Sequence, residues 1–171
     1  MPAGPRQLDG HRVAERLGAA VQNAVVDATD EWVVVAPARI VDALRWLRDD
    51  AEFDAAQLSS LCAVDYNDHF EIVYHLQSLD QNHQIVVKAR IADHDEPSLP
   101  SVIGVYHGAL FQEREGYDLM GVNFEGHPDL RRLFLWEGFP GHPLRKDFMQ
   151  VEDHTPGLPG FPYETPGVQR R

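Results

Sequence analysis

Three consecutive runs, Leu58–Tyr66, Phe70–Ser78 and Gln84–Ala92, read as strands with only short polar turns between them, and this spacing leaves the chain few ways to fold. Asn67-Asp68 is a two-residue hairpin turn, and Asp80-Gln81-Asn82 joins the second run to the third. Turns this short connect strands antiparallel to one another, because a parallel connection needs a long crossover. The middle third of the chain is therefore expected to be an antiparallel meander.

A meander needs a cover for its apolar face, and the flanking segments supply one. Gly10–Ala20 places Val13, Leu17 and Val21 on one helical face. Pro37 opens a second helix that runs to Asp49, with Ile40, Leu44 and Leu47 at i, i+4 and i+7. Ala24–Ala28 and Trp32–Ala36 read as short strands about the turn Thr29-Asp30-Glu31, and the β-branched run Val33-Val34-Val35 belongs in the centre of the sheet. Residues 93–100 read as a polar loop. Ser101–Met120 reads as a third helix with Ile103, Tyr106, Leu110 and Tyr117 on one face. The expected class is α+β, an antiparallel or mixed sheet flanked by helices. Residues 1–10 are expected to be disordered and 11–125 to form the domain. Residues 126–150 are expected to be partner-docking loops, and 151–171 an extended Pro-rich tail.

Composition narrows the partners. A formal charge of -12 over 171 residues argues against nucleic acid or an anionic membrane surface. The single cysteine, Cys62, lies among Leu61, Ala63 and Val64 and reads as a small buried apolar residue. One thiol can neither close an internal disulfide nor hold an iron–sulfur cluster. No apolar run approaches the length of a membrane span, and the N-terminus lacks the apolar centre of a signal peptide. The chain is expected to be soluble and to meet a membrane only through partners.

The stretch from Glu113 to Phe148 stands apart from this background. Gly126-His127-Pro128-Asp129-Leu130-Arg131-Arg132 is echoed by Gly141-His142-Pro143-Leu144-Arg145-Lys146-Asp147. Proline holds each preceding histidine extended, and glycine permits close approach of the chain. Each loop thus presents a histidine, a leucine anchor and two basic groups, as a clip onto a partner would. Glu113 and Arg114 border the apolar face of the third helix, and Glu115 points away from it. Charges so placed need partners, and Arg131-Arg132 and Arg145-Lys146 are the expected counter-charges for Glu113. A metal or acid–base site would draw on His127, His142, Asp153 and His154, but no HExxH spacing is present. GxSxG, GxxxxGK[ST] and a post-strand GxGxxG are absent as well. His75 and His107 read as ordinary strand and helix residues. The residues therefore point to a docking subunit with no catalytic, cofactor-binding or metal-ligating set of its own.

Glu113-Arg114-Glu115, Asp118-Leu119-Met120, Gly126-His127-Pro128 and Arg131 resemble the signature of the complex I 30-kDa-type subunits, a family found in the proton-pumping NADH–quinone oxidoreductases. Gly141–Phe148 resembles the segment that closes the region common to that family, so the resemblance spans about residues 20–150. It implies a non-catalytic structural subunit of the peripheral arm, on the cytoplasmic side of the cell membrane. FMN and the iron–sulfur clusters that carry electrons from NADH to quinone would then lie in partner subunits. The main neighbour would be the large subunit related to nickel–iron hydrogenases. The signature and interface residues so implied are Glu113, Arg114, Glu115 and Asp118 on the helix, and His127, Arg131 and Arg132 in the first loop. His142, Leu144, Arg145, Lys146 and Asp147 complete them in the second. Related subunits also serve membrane-bound nickel–iron hydrogenases and ferredoxin- or deazaflavin-fed quinone oxidoreductases. A free-standing metal-dependent hydrolase is the alternative from another class.

Overall fold

The computed structural model describes residues 4–148. The meander forms as its spacing requires. β4 (Gln57–Tyr66), β5 (His69–Ser78) and β6 (His83–Ile91) are mutually antiparallel, with Tyr66 opposite His69 and Ser78 opposite His83 across the two turns. Asn82 closes the second turn at φ 50°, a left-handed conformation that asparagine tolerates. β2 (Val25–Ala28) and β3 (Trp32–Val35) form a hairpin, and β3 lies parallel to β6, giving the order β2-β3-β6-β5-β4. Val33–Val35 thus sit on a strand paired at both edges and are buried. The sheet is mixed and the fold is α+β.

Two helices cover one face. α1 (Gly10–Ala20) starts at Asp9, whose side chain accepts the His11 N–H at 2.8 Å. A Cβ on Gly10 would collide with the carbonyls of Thr29 and Trp32, so glycine is what lets the helix start so close to the β2–β3 turn. α2 (Ile40–Asp49) follows a 3₁₀ turn at Pro37–Arg39, opened by the proline. Leu17, Ile40, Leu44 and Leu47 pack with Phe70, Ile72, Leu76 and Val87 in one fully buried core. On the other face, Lys88 Nζ lies 4.1 Å from the Trp32 ring centroid, and Lys88 and Arg90 bond Glu71 at 3.3 and 2.9 Å. No described helix is long and apolar enough to cross a membrane.

Several local expectations give way to longer-range contacts. The segment before α1 is not disordered, because β1 (Arg6–Gln7) pairs in parallel with β6. Arg6 N donates to Asn82 O and Leu8 N to Gln84 O, both at 3.0 Å, and Leu8 enters the core. Residues 93–100 are not all loop. β7 (Ser98–Pro100) pairs in parallel with β8 (Asn123–Glu125) as a separate two-stranded sheet. The third helix, α3, runs from Ala109 to Met120 and not from Ser101. Ser101 N is held by Glu125 O at 2.8 Å, and residues 102–106 close a single turn instead, leaving His107 exposed ahead of the helix. Tyr106 belongs to that turn and donates its hydroxyl hydrogen to Ala55 O at 2.7 Å. Cys62 is exposed, because the alternation of β4 sets it opposite Val73 on the uncovered face. The tail at 151–171, with residues 149–150 of the second loop and 1–3 of the N-terminus, lies outside the described residues.

Candidate functional site

The buried face of α3 is polar, and this is its most informative property. Ala109, Glu113, Arg114, Gly116 and Asp118 are buried while Glu115 is exposed, so two acids and a guanidinium enter the protein where an amphipathic helix would place apolar residues. A polar face is stable inside only if every group on it is bonded. The bonds found there explain the course of residues 101–148.

Asp118 holds the first loop. Its Oδ2 accepts three successive backbone N–H groups, from Leu133 at 2.9 Å, Phe134 at 2.7 Å and Leu135 at 3.0 Å. Consecutive N–H groups curled about one oxygen form an anion nest. Oδ1 takes Arg132 Nη1 at 3.0 Å, and Arg132 Nη2 donates to Phe139 O and Gly141 O at 3.1 Å each. Burial alone would raise the Asp118 carboxyl, but the Leu135, Phe134 and Leu133 N–H groups and Arg132 outweigh it, and the group lies below the usual carboxylate range.

The second loop docks on the same helix. His142 Nδ1 donates to Asp118 O at 2.9 Å, and Leu144 N to Leu119 O at 3.1 Å. α3 ends at Gly121 with φ 76°, where Gly121 N bonds Tyr117 O, the bond of an αL cap, and Val122 N bonds Gly116 O. A Cβ at Gly121 would stand 2.6 Å from the His142 ring, so the residue type is set twice, by backbone hand and by the imidazole. Further along, Asp65 accepts His94 Nε2 and Lys146 N, each at 2.8 Å. Arg145 Nη2 donates to His94 O at 2.7 Å, and its guanidinium carbon lies 5.3 Å from the Phe70 ring centroid. Burial pushes Asp65 up, but the Lys146 N–H, His94 and Arg145 bring it below its ordinary value.

Glu113 is a separate case. Its Oε2 lies 2.6 Å from Ser101 Oγ and its Oε1 accepts Val102 N at 2.7 Å. Burial dominates and raises its pKa, against the opposing hydrogen bonds from Ser101 and Val102 N. The basic pairs do not neutralise it. Arg132 is committed to Asp118, Arg131 bonds Asp129 at 3.0 Å with its side chain 73% exposed, and Arg145 and Lys146 sit at the Asp65 corner. Arg114, also buried, donates to Arg131 O and Arg132 O at 3.1 and 3.0 Å.

The Gly-His-Pro loops are therefore clips onto their own domain. Glu113, Arg114, Asp118, His127, Arg132, His142 and Arg145 turn inward, while Glu115, Arg131, Leu144, Lys146 and Asp147 are exposed. The expectation that each loop offers its histidine and both basic groups to a partner is corrected on this point, because backbone carbonyls and buried carboxylates of the domain take the histidines, Arg132 and Arg145. Asp65, His94 and Ser101 escape a sequence reading. The one available signal was Asp65, an acid at an inward-facing position of β4. Among the described residues, no three His, Cys, Asp or Glu side chains are grouped so as to hold a metal ion. Asp153 and His154 lie outside the described residues. With its buried polar groups bonded internally, the region displays Phe111, Phe134 and Leu144 at 58%, 63% and 55% exposure. Such an arrangement suits binding at a fixed shape.

Comparison with known proteins bears on the whole region. The family described as the respiratory-chain NADH dehydrogenase 30 Kd subunit matches residues 33–154. The NADH-quinone oxidoreductase C subunit of Roseiflexus sp. (strain RS-1) is 44% identical over 147 residues, covering 82% of this chain and 84% of that one. Its namesake from Methylobacterium sp. (strain 4-46) is 45% identical over 148 residues, covering 85% of this chain and 68% of that one. A chain in the structure of the membrane-bound sulfane sulfur reductase, an archaeal respiratory membrane complex, superposes with a TM-score of 0.66 at 26% identity, covering 82% of this chain and 86% of that one.

Proposed function

The chain belongs to the respiratory-chain NADH dehydrogenase 30-kDa subunit family, and on that premise we propose that it is a non-catalytic structural subunit in the peripheral arm of a proton-translocating NADH–quinone oxidoreductase. In this reading FMN and iron–sulfur clusters belong to partner subunits, and this chain carries no cofactor. Its main partner is the large hydrogenase-like subunit, and the complex holds it peripherally on the cytoplasmic face of the cell membrane. Residues 6–125, from β1 to β8, are the supporting domain and the loops after β8 are the docking element.

One observation carries the proposal: the buried polar groups of α3 and both loops are bonded inside the domain, while Phe111, Phe134 and Leu144 stay exposed on elements so braced. Exposed aromatic and aliphatic side chains on a rigid base have little entropy to lose on docking and much apolar area to bury. Arg131 and Lys146, exposed in the same two loops, would set register with partner carboxylates. The exposed members of the signature, Glu115, Arg131, Leu144, Lys146 and Asp147, are therefore the contact residues, and the buried members are the scaffold.

Phe111→Asp and Leu144→Asp test this reading, because both side chains are mostly solvent-exposed and a charge there leaves the core intact. Either variant is expected to remain folded by circular dichroism yet to lose incorporation into the complex on native gels. Full incorporation of both variants would refute the docking surface.

A second reading keeps the subunit role and changes the machine. The likeness to a chain of the sulfane sulfur reductase favours it, since that complex is a respiratory membrane assembly with another activity. Co-purification in mild detergent separates the two: a flavin-binding NADH-input module among the partners supports the first reading, and its replacement by a ferredoxin- or hydrogen-handling module supports the second.

A further inference from the structure

The neighbourhood of Glu113 contains an acid with no counter-ion, and His127 is the key to it. His127 Nε2 lies 3.0 Å from Leu110 O, which can only accept, so this nitrogen carries the hydrogen. Nδ1 receives the Asp129 N–H at 3.0 Å, so that nitrogen carries a lone pair. The two bonds together assign the neutral imidazole protonated at Nε2. The ring thus brings no positive charge to Glu113, although Nε2 is 4.0 Å from Oε2 and both side chains are fully buried.

The other elements packed around Glu113 bring none either. β5 contributes Tyr74, whose buried hydroxyl is neutral. The turn after β7 contributes Ser101 Oγ and Val102 N. On α3, Arg114 is engaged with the carbonyls of residues 131 and 132 and lies 3.8 Å from Asp129, and Asp118 is bonded by Arg132. Among the described residues, no lysine or arginine nitrogen comes within 4.0 Å of the Glu113 carboxyl. An ionised carboxylate so placed would be a lone buried charge, among the costliest groups a protein can hold, and a bound proton removes the cost.

We propose that Glu113 is a buried neutral acid in the folded protein, keeping its proton at pH values where the exposed glutamates have ionised, and that it joins α3 to the Ser101–Val102 turn in this form. Oε1 accepts the Val102 N–H, and Oε2 shares a hydrogen with Ser101 Oγ, which also accepts the Ile103 N–H at 3.3 Å. Burial raises the Glu113 carboxyl and, above all other causes, sets the Tyr74 hydroxyl well above its ordinary value, both in accord with a site that disfavours negative charge. With the folded-state value above the unfolded one, the folded chain binds the proton more tightly, so this group's contribution falls as the pH rises from the ordinary glutamate range through the raised value. Asp118 and Asp65 on the same scaffold have the opposite sense, and the two loops are anchored by ions where the Ser101 turn is anchored by a neutral acid.

The test is an NMR titration of the full chain carrying ¹³C at the glutamate carboxyls and ¹⁵N in histidine, and it does not depend on the identity of the complex. One glutamate signal is expected to retain the acid-form shift after the others have moved, and to be absent from Glu113→Gln. The His127 nitrogens are expected to show hydrogen on Nε2 and a lone pair on Nδ1. If Glu113→Gln fails to fold, through-bond correlation in the unaltered chain assigns the signal, and the same readings decide. A Glu113 carboxyl that ionises with or before the exposed glutamates overturns the proposal, and so does a doubly protonated His127 beside it.

Discussion

Removing the Asp118 carboxylate is the most direct challenge to the idea that α3 organises the loops. In Asp118→Ala three backbone N–H groups and the Arg132 guanidinium lose their acceptor at once. Hydrogen bonds to a charged group contribute about 1.5–3 kcal/mol each, so four would total roughly 6–12 kcal/mol if all stayed buried and unpaired. They will not, because the loop is at the surface and its freed N–H groups can turn to water. Loss of one partner of a buried ion pair, about 3–5 kcal/mol, is the better figure. For a chain of this size that corresponds to a fall in melting temperature of roughly 6–20 °C. Asp118→Asn should cost less, roughly 2–3 kcal/mol, since its amide oxygen can still take the N–H groups but loses the ionic contact with Arg132. Urea unfolding followed by circular dichroism measures the total, and hydrogen exchange at Leu133, Phe134 and Leu135 shows where it was lost. If Asp118→Ala costs under about 1 kcal/mol and the three amides stay protected, the nest is not what holds the loop.

Two further outcomes follow from the same geometry. Gly121→Ala should cost about 2–3 kcal/mol in thermal melts, the sum of a left-handed alanine and a displaced His142 that loses its bond to Asp118 O; His142 chemical shifts should move with it, and unmoved shifts would contradict the packing. Acid should unfold the chain through Asp118, Asp65 and Glu71, whose folded-state values all lie below the ordinary ones. Their stabilisation is complete above the ordinary carboxylate range, near pH 4, and is lost as the pH falls through the lowered folded values, so their contribution to a pH series of urea midpoints should level off above about pH 5 and drop steeply below about 4.

The parts of the fold legible in the sequence are those set by local period and turn length. Leu58–Ala92 could be read because alternation and a two-residue turn leave one pairing, and α1 and α2 because their apolar faces repeat at helical spacing. The failures share a physical cause. Arg6–Gln7 and Ser98–Pro100 are strands only because distant backbone, on β6 and β8, satisfies theirs. The helix at Ser101 reads as continuous by its apolar period, yet Glu125 O captures the Ser101 N–H. The site was half legible. Its residue types stood out, but the pairing of Arg132 with Asp118 and of the Lys146 backbone N–H with Asp65 is a matter of tertiary geometry that charge and spacing alone do not specify.

The exposed position of Cys62 makes the chain its own reporter. It is the sole thiol among 171 residues and sits on the sheet face that α1 and α2 leave uncovered, with Glu115 close enough to act on it. Desolvation by its neighbours, and then Glu115, push the thiol up, so alkylation of the free chain is slow at neutral pH and gains rate on the alkaline side. A single dye can therefore be placed without engineering, and its shielding in the assembled complex gives a distance-free readout of whether that second face is also covered.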